Sequence, residues 1–441
     1  MEFLFEKQLR SISREPRLSR FSAMEEADLS LPVMTEFQDE VLKIMVNRVY
    51  NHDTFYRRKM VETGLKPEDI KSLADLSKLP FTAKEDLRGN PWALLTADKK
   101  DVSLVSVSTG TTGGEEIYIM QTWKDCFINE FAAGTKPLIN LGRGDICINA
   151  LPYEMSSAGL SFHKVFMDIC AATVVSVGKG GAYSTPEKTV NVMRDLQPTV
   201  MITTPSYAIT LAEAAAEINF DLTGLPLKKI WLTGEGCSPA FRERVEKIWG
   251  TKANFFYGSL EAGVLGIECD AHAGYHIPLS QVILEIVDPQ TGEVLEPGEI
   301  GEVVATPLLH LDSPLIRYRT QDLGYIDPDP CSCGSFFPRF FMRGRLVDHV
   351  TVNEIDFSPF YLEEFLMRLP EVGNWYQFVV QPGNNEQLKI RTEPAPGVEP
   401  TPELAEKLAS RMEFSIGIPC EFEFVTKLPR PGSKTVRVVR Q

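Results

Sequence analysis

Residues Ser108, Thr109, Gly110, Thr111, Thr112, Gly113 and Gly114 form a dense run of hydroxyls and glycines. Glycine lets the backbone approach an anion closely, while hydroxyls and N–H groups donate to phosphate oxygens. The run lacks the G-x-x-x-x-G-K-[ST] spacing, so that nucleotide loop is excluded. Taken alone it is either a phosphate cradle or a polar turn, and both readings stay open at this point. A second group is Cys269-x6-His276 together with Cys331-x-Cys333. Three thiolates and one imidazole make a closed Cys3His set for structural zinc, and the Cys-Ser-Cys-Gly turn can aim two sulfurs at one ion. His272 competes with His276 as the fourth ligand, and free thiols are the plain alternative. Lys434 lies in a Pro/Gly/Ser stretch near the last residue and by itself is a solvated tail charge.

Elements able to position these groups can be read from periodicity. Residues 34–64 carry apolar positions at helical spacing and predict two helices. From 101 onward, β-rich runs alternate with helical stretches. Strands are predicted at 102–107, 146–152, 171–177, 199–204, 228–234 and 254–259, with helices up to Met167 and over 206–218 and 239–249. Such alternation predicts an α/β fold with a largely parallel sheet. After about 276 the pattern changes to β-type alternation broken by Asp288-Pro289 and Pro297-Gly298, which predicts antiparallel hairpins. Beyond Arg345 a small α+β unit follows: a helix at 359–368, strands at 376–381 and 387–392, a helix at 403–413 and a terminal strand. The expected organisation is a large domain over 1–343, with an antiparallel part at about 269–340, and a small mobile C-terminal lid over 344–441.

Composition narrows the classes. The 441 residues are 43% hydrophobic and 24% charged, ordinary values for a globular chain. A net charge of −15 argues against nucleic acid, since nothing offsets phosphate repulsion overall. Acids within the first seven residues do not suit a signal peptide, and no run of about 18 apolar residues predicts a membrane span. Eight scattered cysteines suit a reduced cytoplasmic protein.

Several further segments occur in an order that resembles the phenylacetate–CoA ligase branch of the adenylate-forming superfamily. They are the Ser108–Gly113 loop after a strand, Tyr257-Gly258-Ser259-Leu260-Glu261, Tyr318-Arg319-Thr320-Gln321-Asp322, Gly344-Arg345, and Pro429-Arg430 with Lys434-Thr435-Val436-Arg437-Val438. The stretch 55–88 and the segment 203–208 extend the likeness over nearly the whole chain.

This resemblance implies an ATP-dependent, AMP-forming acid–CoA ligase, which activates a carboxylate as acyl-AMP with loss of pyrophosphate and then forms the CoA thioester. It implies that loop 108–113 holds the β- and γ-phosphates and that Glu261 holds Mg2+. Tyr257 would offer a ring face to the adenine and Gly234, Glu235 and Gly236 would line the other side, with Asp322 on the ribose hydroxyls, Phe256, Gly258 and Ser259 also in the ATP/AMP site, and Arg345 there at the hinge. The matching Lys434 would swing in on the lid to neutralise charge during adenylation. Tyr153, Ser157, Ala158, Gly159, Pro205 and Tyr207 would line the acid pocket, where small residues leave room for an aryl, arylacetic or small hydroxylated acid. Glu154 and His163 would meet a polar substituent or stay structural. The expected ligands are the acid, ATP and CoA, with Mg2+ and structural Zn2+, and a homodimer is allowed.

The chain departs from the family pattern at Gly114, where lysine is usual, at Gln321, and at the hinge. Val347 stands at the usual hinge aspartate with Asp348 beside it, and Glu354 stands where CoA-using relatives have a glycine that packs against pantetheine. These departures put the acceptor in question. An adenylating enzyme with an amine acceptor is the related alternative, and a non-catalytic nucleotide-binding relative is the alternative of a different class.

Overall fold

Apolar residues at positions 34, 41, 42, 45, 46 and 49 share one face of α1 (Leu31–Asn51), and all are buried. The chain then breaks at Thr54, whose side chain accepts from the Arg57 N–H and opens α2 (Phe55–Glu62). The computed structural model describes residues 26–108, 115–123, 135–308, 310–346, 348–381, 385–430 and 435–441, together with positions 18, 21, 24 and 125. Strands β1 (Val102–Ser108) and β2 (Ile117–Thr122) pair antiparallel, and Ser108, the first residue of the Ser/Gly run, ends β1.

Five strands form the parallel half: β3 (Ile146–Ala150), β4 (Thr173–Ser176), β5 (Val200–Thr203), β6 (Lys229–Leu232) and β7 (Ala253–Ser259). Helices α3 (Ser157–Lys164), α4 (Pro186–Leu196), α5 (Pro205–Glu217) and α6 (Pro239–Trp249) make the crossovers. The last three open on a Thr-Pro or Ser-Pro pair. Thr185, Thr204 and Ser238 each accept a backbone N–H of the first turn, and proline follows at the first helical position, where no N–H is needed. Spatial order is β4-β3-β5-β6-β7. The chain moves outward from β3 to β4 and then crosses back to β5, so the order reverses between β3 and β5. The crevice beyond the carboxyl ends at such a reversal is where open α/β sheets take ligands.

The antiparallel segment is no separate layer. Strands β8 (Gly263–Glu268), β9 (Tyr275–His276), β10 (Val282–Val287), β11 (Gly301–Pro307), β12 (Tyr318–Asp327) and β13 (Arg339–Arg345) continue the same sheet in the order β7-β8-β9-β13-β12-β11-β10. Strand β7 carries the join. Its first residues, Ala253–Phe255, pair with β6, and Phe256–Ser259 pair with β8.

The C-terminal unit comprises β14 (Val350–Val352), β15 (Ile355–Phe357), α7 (Pro359–Leu366), β16 (Val372–Val380), β17 (Leu388–Pro394), α8 (Pro402–Ile416), β18 (Cys420–Phe424) and β19 (Val438–Arg440). A four-stranded sheet has the order β18-β17-β16-β19. Strand β18 is absent from the sequence-based expectation because its acids alternate with aromatics. Glu421 and Glu423 pair with Lys389 and Arg391 on β17 instead of joining an apolar run. Buried Val350, Leu362, Trp375 and Leu388 share one core cluster with Ile230, Phe241 and Trp249, so this unit is docked against α6. Among the described residues, no helix is long and apolar enough to cross a membrane.

Candidate active site

Antiparallel register sets Asp322 of β12 opposite Arg345 of β13. The Arg345 Nε–H donates to Asp322 Oδ1 at 2.7 Å, and the Tyr257 hydroxyl donates to Oδ2 at 2.7 Å. Each Asp322 oxygen thus holds a protein donor in addition to its expected role toward the ribose hydroxyls. Burial, and then the charge of Asp322, push the Tyr257 hydroxyl well above its ordinary range, so it remains a donor. For Arg345, burial opposes the charge, but Asp322 and Asp348 outweigh it and raise its pKa. The half-buried Tyr257 ring stacks on Phe340, with centroids 5.1 Å apart. Phe256, one residue earlier, points to the other face of the sheet. Its buried ring packs on Trp231 and Phe162, so its side chain belongs to the core.

Gly258 is dictated by the β7–β8 hairpin, since a Cβ there would lie 2.2 Å from the Gly263 carbonyl oxygen. Ser259 then accepts from the Ala262 N–H at 3.1 Å, and this tight turn carries Glu261. The Glu261 side chain is buried in a cleft shared with Asn90, Tyr118, His310, Ser313 and Leu315. A carboxylate beside Tyr118 and Ile119 of β2 is suited to a hard cation and phosphate oxygens. Burial lowers the His310 imidazole to about 4, and its Nε2 is 3.3 Å from Gln121 Nε2 on β2. Thr109, Gly110, Thr111, Thr112 and Gly113 lie outside the described residues, as do Val347 and Lys434.

Gly234, at φ +81°, turns the chain after β6. Glu235 next to it is buried against Lys179, with Nζ–Oε1 at 2.9 Å, and accepts from the Ser206 hydroxyl at 2.8 Å. Burial works against ionisation of Glu235, but Lys179, Ser206 and Arg437 prevail and lower its pKa. Lys179 was not singled out from the sequence. Its signal was a lysine inside Gly178-Lys179-Gly180-Gly181 directly after a strand.

At the crevice beyond β3 and β5, the half-buried Tyr153 hydroxyl is 3.0 Å from His163 Nδ1, and burial raises Tyr153 to about 12. His163 is therefore engaged by the chain itself. Pro205 and Tyr207 are buried in the first turn of α5, with Thr204 capping the Tyr207 N–H. Ala158 follows the Ser156 cap of α3, and the Ser157 side chain lies outside what is described. Gly159 does not leave room for a ligand. A Cβ there would lie 2.5 Å from the Pro152 carbonyl oxygen, and Asn149 donates to the Gly159 carbonyl at 2.8 Å.

A separate cluster joins β8, β9 and the β12–β13 loop. One donor atom each from Cys269, His276, Cys331 and Cys333 lies within 4.8 Å of every other. The Cys269 and Cys331 sulfurs are 3.7 Å apart, and Cys333 Sγ is 3.3 Å from His276 Nε2. Tetrahedral zinc with Zn–S of about 2.3 Å requires sulfurs about 3.8 Å apart. His276 Nδ1 is 3.1 Å from the Phe337 carbonyl, which fixes Nε2 as the lone pair facing the sulfurs. His272 turns instead toward Glu268 and Glu246.

With this geometry in hand, residues 35–306 match the family described as AMP-binding enzyme, and 355–441 match the AMP-binding enzyme C-terminal domain. The chain belongs to the AMP-binding enzyme family. Within it, the phenylacetate-coenzyme A ligase of Thermus thermophilus is 33% identical over 81% of this chain and 80% of its own length. That of Aromatoleum evansii is 31% identical over 87% of this chain and 89% of its own. This AMP-binding enzyme is thus an AMP-forming acid–CoA ligase of the phenylacetate–CoA ligase branch, using ATP and passing through acyl-AMP. In fold it is similar to 2-hydroxyisobutyryl-CoA ligase in the postadenylation state with 2-HIB-AMP, at TM-score 0.86 and 21% identity, covering 94% of this chain and 90% of that one. Against the same ligase in its thioesterification state with 2-HIB-AMP and CoA, the TM-score is 0.67 at 22% identity, covering 93% and 90%.

Proposed function

We propose that this ligase activates an aryl, arylacetic or small hydroxylated acid in the crevice between the carboxyl ends of β3 and β5. The observation that carries the reading is the Asp322 clamp. A carboxylate held by Tyr257 and Arg345 stands beside an aromatic face at the end of β7. That arrangement suits a ribose and an adenine. Ser108 and the loop to Gly113 take the β- and γ-phosphates, and Gly234, Glu235 and Gly236 supply backbone to the second side of the base. Glu261 holds Mg2+, which neutralises phosphate charge when bound. The acid's carboxylate attacks the α-phosphorus in line and pyrophosphate leaves, a transfer governed by positioning and charge compensation. Lys434 meets the developing charge at the α-phosphate.

The C-terminal unit, from Gly344 onward, acts as the lid that delivers Lys434 and then turns to admit the thiol of CoA. Gly344 supports a hinge there: it has φ +133°, and a Cβ would lie 2.3 Å from Ser358 Oγ, at the start of α7. Cys269, His276, Cys331 and Cys333 hold structural zinc and tie the antiparallel half of the sheet together. All four positions are filled by protein, so the ion does no chemistry.

An AMP-release screen across aryl, arylacetic and hydroxylated acids, run with and without CoA, tests the reading. AMP formation that depends on one of these acids and yields its thioester is expected. Release only with an amine acceptor, or silence across the panel, would sink it.

A further inference from the structure

Charged side chains alternate in sign from the sheet into the C-terminal unit. Lys179 and Glu235 pair at 2.9 Å, with side chains 6% and 7% exposed. The charge of Arg437 acts on Glu235, and its guanidinium lies 4.4 Å from the Tyr376 ring centroid and 5.0 Å from that of Phe241. Its Nε is 3.9 Å from Glu363 Oε1 on α7. The Tyr376 hydroxyl also donates to that oxygen, and the Ser238 N–H donates to Oε2 at 2.5 Å. Glu364 accepts from the Ala240 N–H at 2.8 Å. Ser238 and Ala240 open α6, so two acids from the lid satisfy orphan donors at the positive end of a body helix. In return, Arg244 of α6 donates to the carbonyls of Met367, Leu369 and Val372 at 2.6–2.7 Å, just past the end of α7.

These contacts are reciprocal. The arrangement follows the postadenylation structure of the relative (0.86) more closely than its thioesterification structure (0.67). Lys434 precedes Arg437 by three residues, and three residues of chain span at most about 10 Å. Whatever holds Arg437 therefore bounds the reach of Lys434.

We propose that Glu363 and Arg437 are positioning residues that latch the C-terminal unit in the arrangement serving adenylation, and that this latch must open before the thiol step. The inference rests on the reading that Lys434 serves adenylation. Loosening the latch slows the first half-reaction and spares the second. A contact needed only for folding would impair both.

The test measures ATP–pyrophosphate exchange and, separately, CoA-dependent consumption of supplied acyl-adenylate, using the panel acid with the fastest AMP release. Glu363→Gln is expected to lower exchange tenfold or more and to leave the CoA step within twofold, while Arg437→Lys retains part of the exchange lost in Arg437→Gln. Glu364→Gln, at a more exposed position, is expected to lower exchange about threefold and serves if Glu363→Gln does not fold. Equal loss in both half-reactions, or unchanged exchange in Glu363→Gln and Glu364→Gln, overturns the proposal. Lys434→Ala keeps the two failures apart. Intact exchange in that variant removes the role of the tail lysine, whereas a failed latch leaves Lys434→Ala inactive.

Discussion

Asp322 and Arg345 are direct partners in the β12–β13 ladder, and the same register that pairs their backbones brings Nε within 2.7 Å of Oδ1. The site's carboxylate is thereby oriented by the sheet and not by the ligand. Asp322→Asn keeps the shape but removes two of the acceptor lone pairs and the charge facing Arg345. The expected outcome is a rise of tenfold or more in the KM for ATP, with the KM for the acid little changed. Initial-rate kinetics with each substrate varied separately would show it, and equal rises in both constants would assign Asp322 to general architecture.

Zinc makes a second prediction. Three sulfurs and one imidazole nitrogen, drawn from three chain segments, already lie within 4.8 Å of one another. Metal analysis of the purified protein is expected to find about one zinc per chain. Cys331→Ser should lose the metal and melt several degrees lower while retaining measurable exchange activity. A zinc-free protein with unaltered melting would remove the site.

Asp125 gives a pH dependence with a definite sign. It is fully buried, close to Asp312, and burial together with that neighbouring charge raises it to about 7. Its oxygens accept from the Thr122 and Asp312 N–H groups, while Arg48 pairs with Asp312 at 2.6 Å. Between about pH 4 and 7 the folded chain holds a proton that the unfolded chain has released. This contribution is therefore full below pH 4 and is lost as pH rises through 7. Asp125→Asn is expected to be more stable than the parent at pH 8, with the gap closing toward pH 5. Denaturant midpoints at the two pH values check this, and a pH-independent difference would refute it.

Much of the fold was legible because strands and helices here are marked locally. Apolar runs bounded by glycine and proline announce β3, β5 and β6 and helical stretches follow each of them, whereas the helix Pro186–Leu196 was not expected, although Thr185-Pro186 marks its start. The order of the motifs likewise gave the family and singled out Asp322, Tyr257 and Glu261 as candidates. What escaped depends on partners distant in sequence. Lys179 looks like a solvated loop charge until Glu235, 56 positions later, is folded against it. Gly159 looks like pocket space until the Pro152 carbonyl fills it. Glu363 carries no motif at all, since its role exists only where α7 meets the first turn of α6.

Glu354 closes the two-residue turn between β14 and β15, where Val352 pairs with Ile355. Asn353 and Glu354 have φ of +49° and +64°. Such a turn favours Asn-Gly, because a side chain in the left-handed region costs about 1–2 kcal/mol. Glycine would recover that cost but add freedom to the unfolded chain, so Glu354→Gly is expected to stabilise by about 0.5–1 kcal/mol. By the resemblance, this is also the place where glycine lets the lid pack against pantetheine. The same substitution should therefore speed CoA-dependent turnover of supplied acyl-adenylate and leave ATP–pyrophosphate exchange unchanged. Glu354→Ala separates the two causes, because it removes the carboxylate but keeps the Cβ. If alanine speeds the CoA step as well as glycine does, charge is the obstacle at the turn; if only glycine does, close backbone approach is what the thiol step needs. No change in either variant would mean that the hairpin tip stays clear of the thiol.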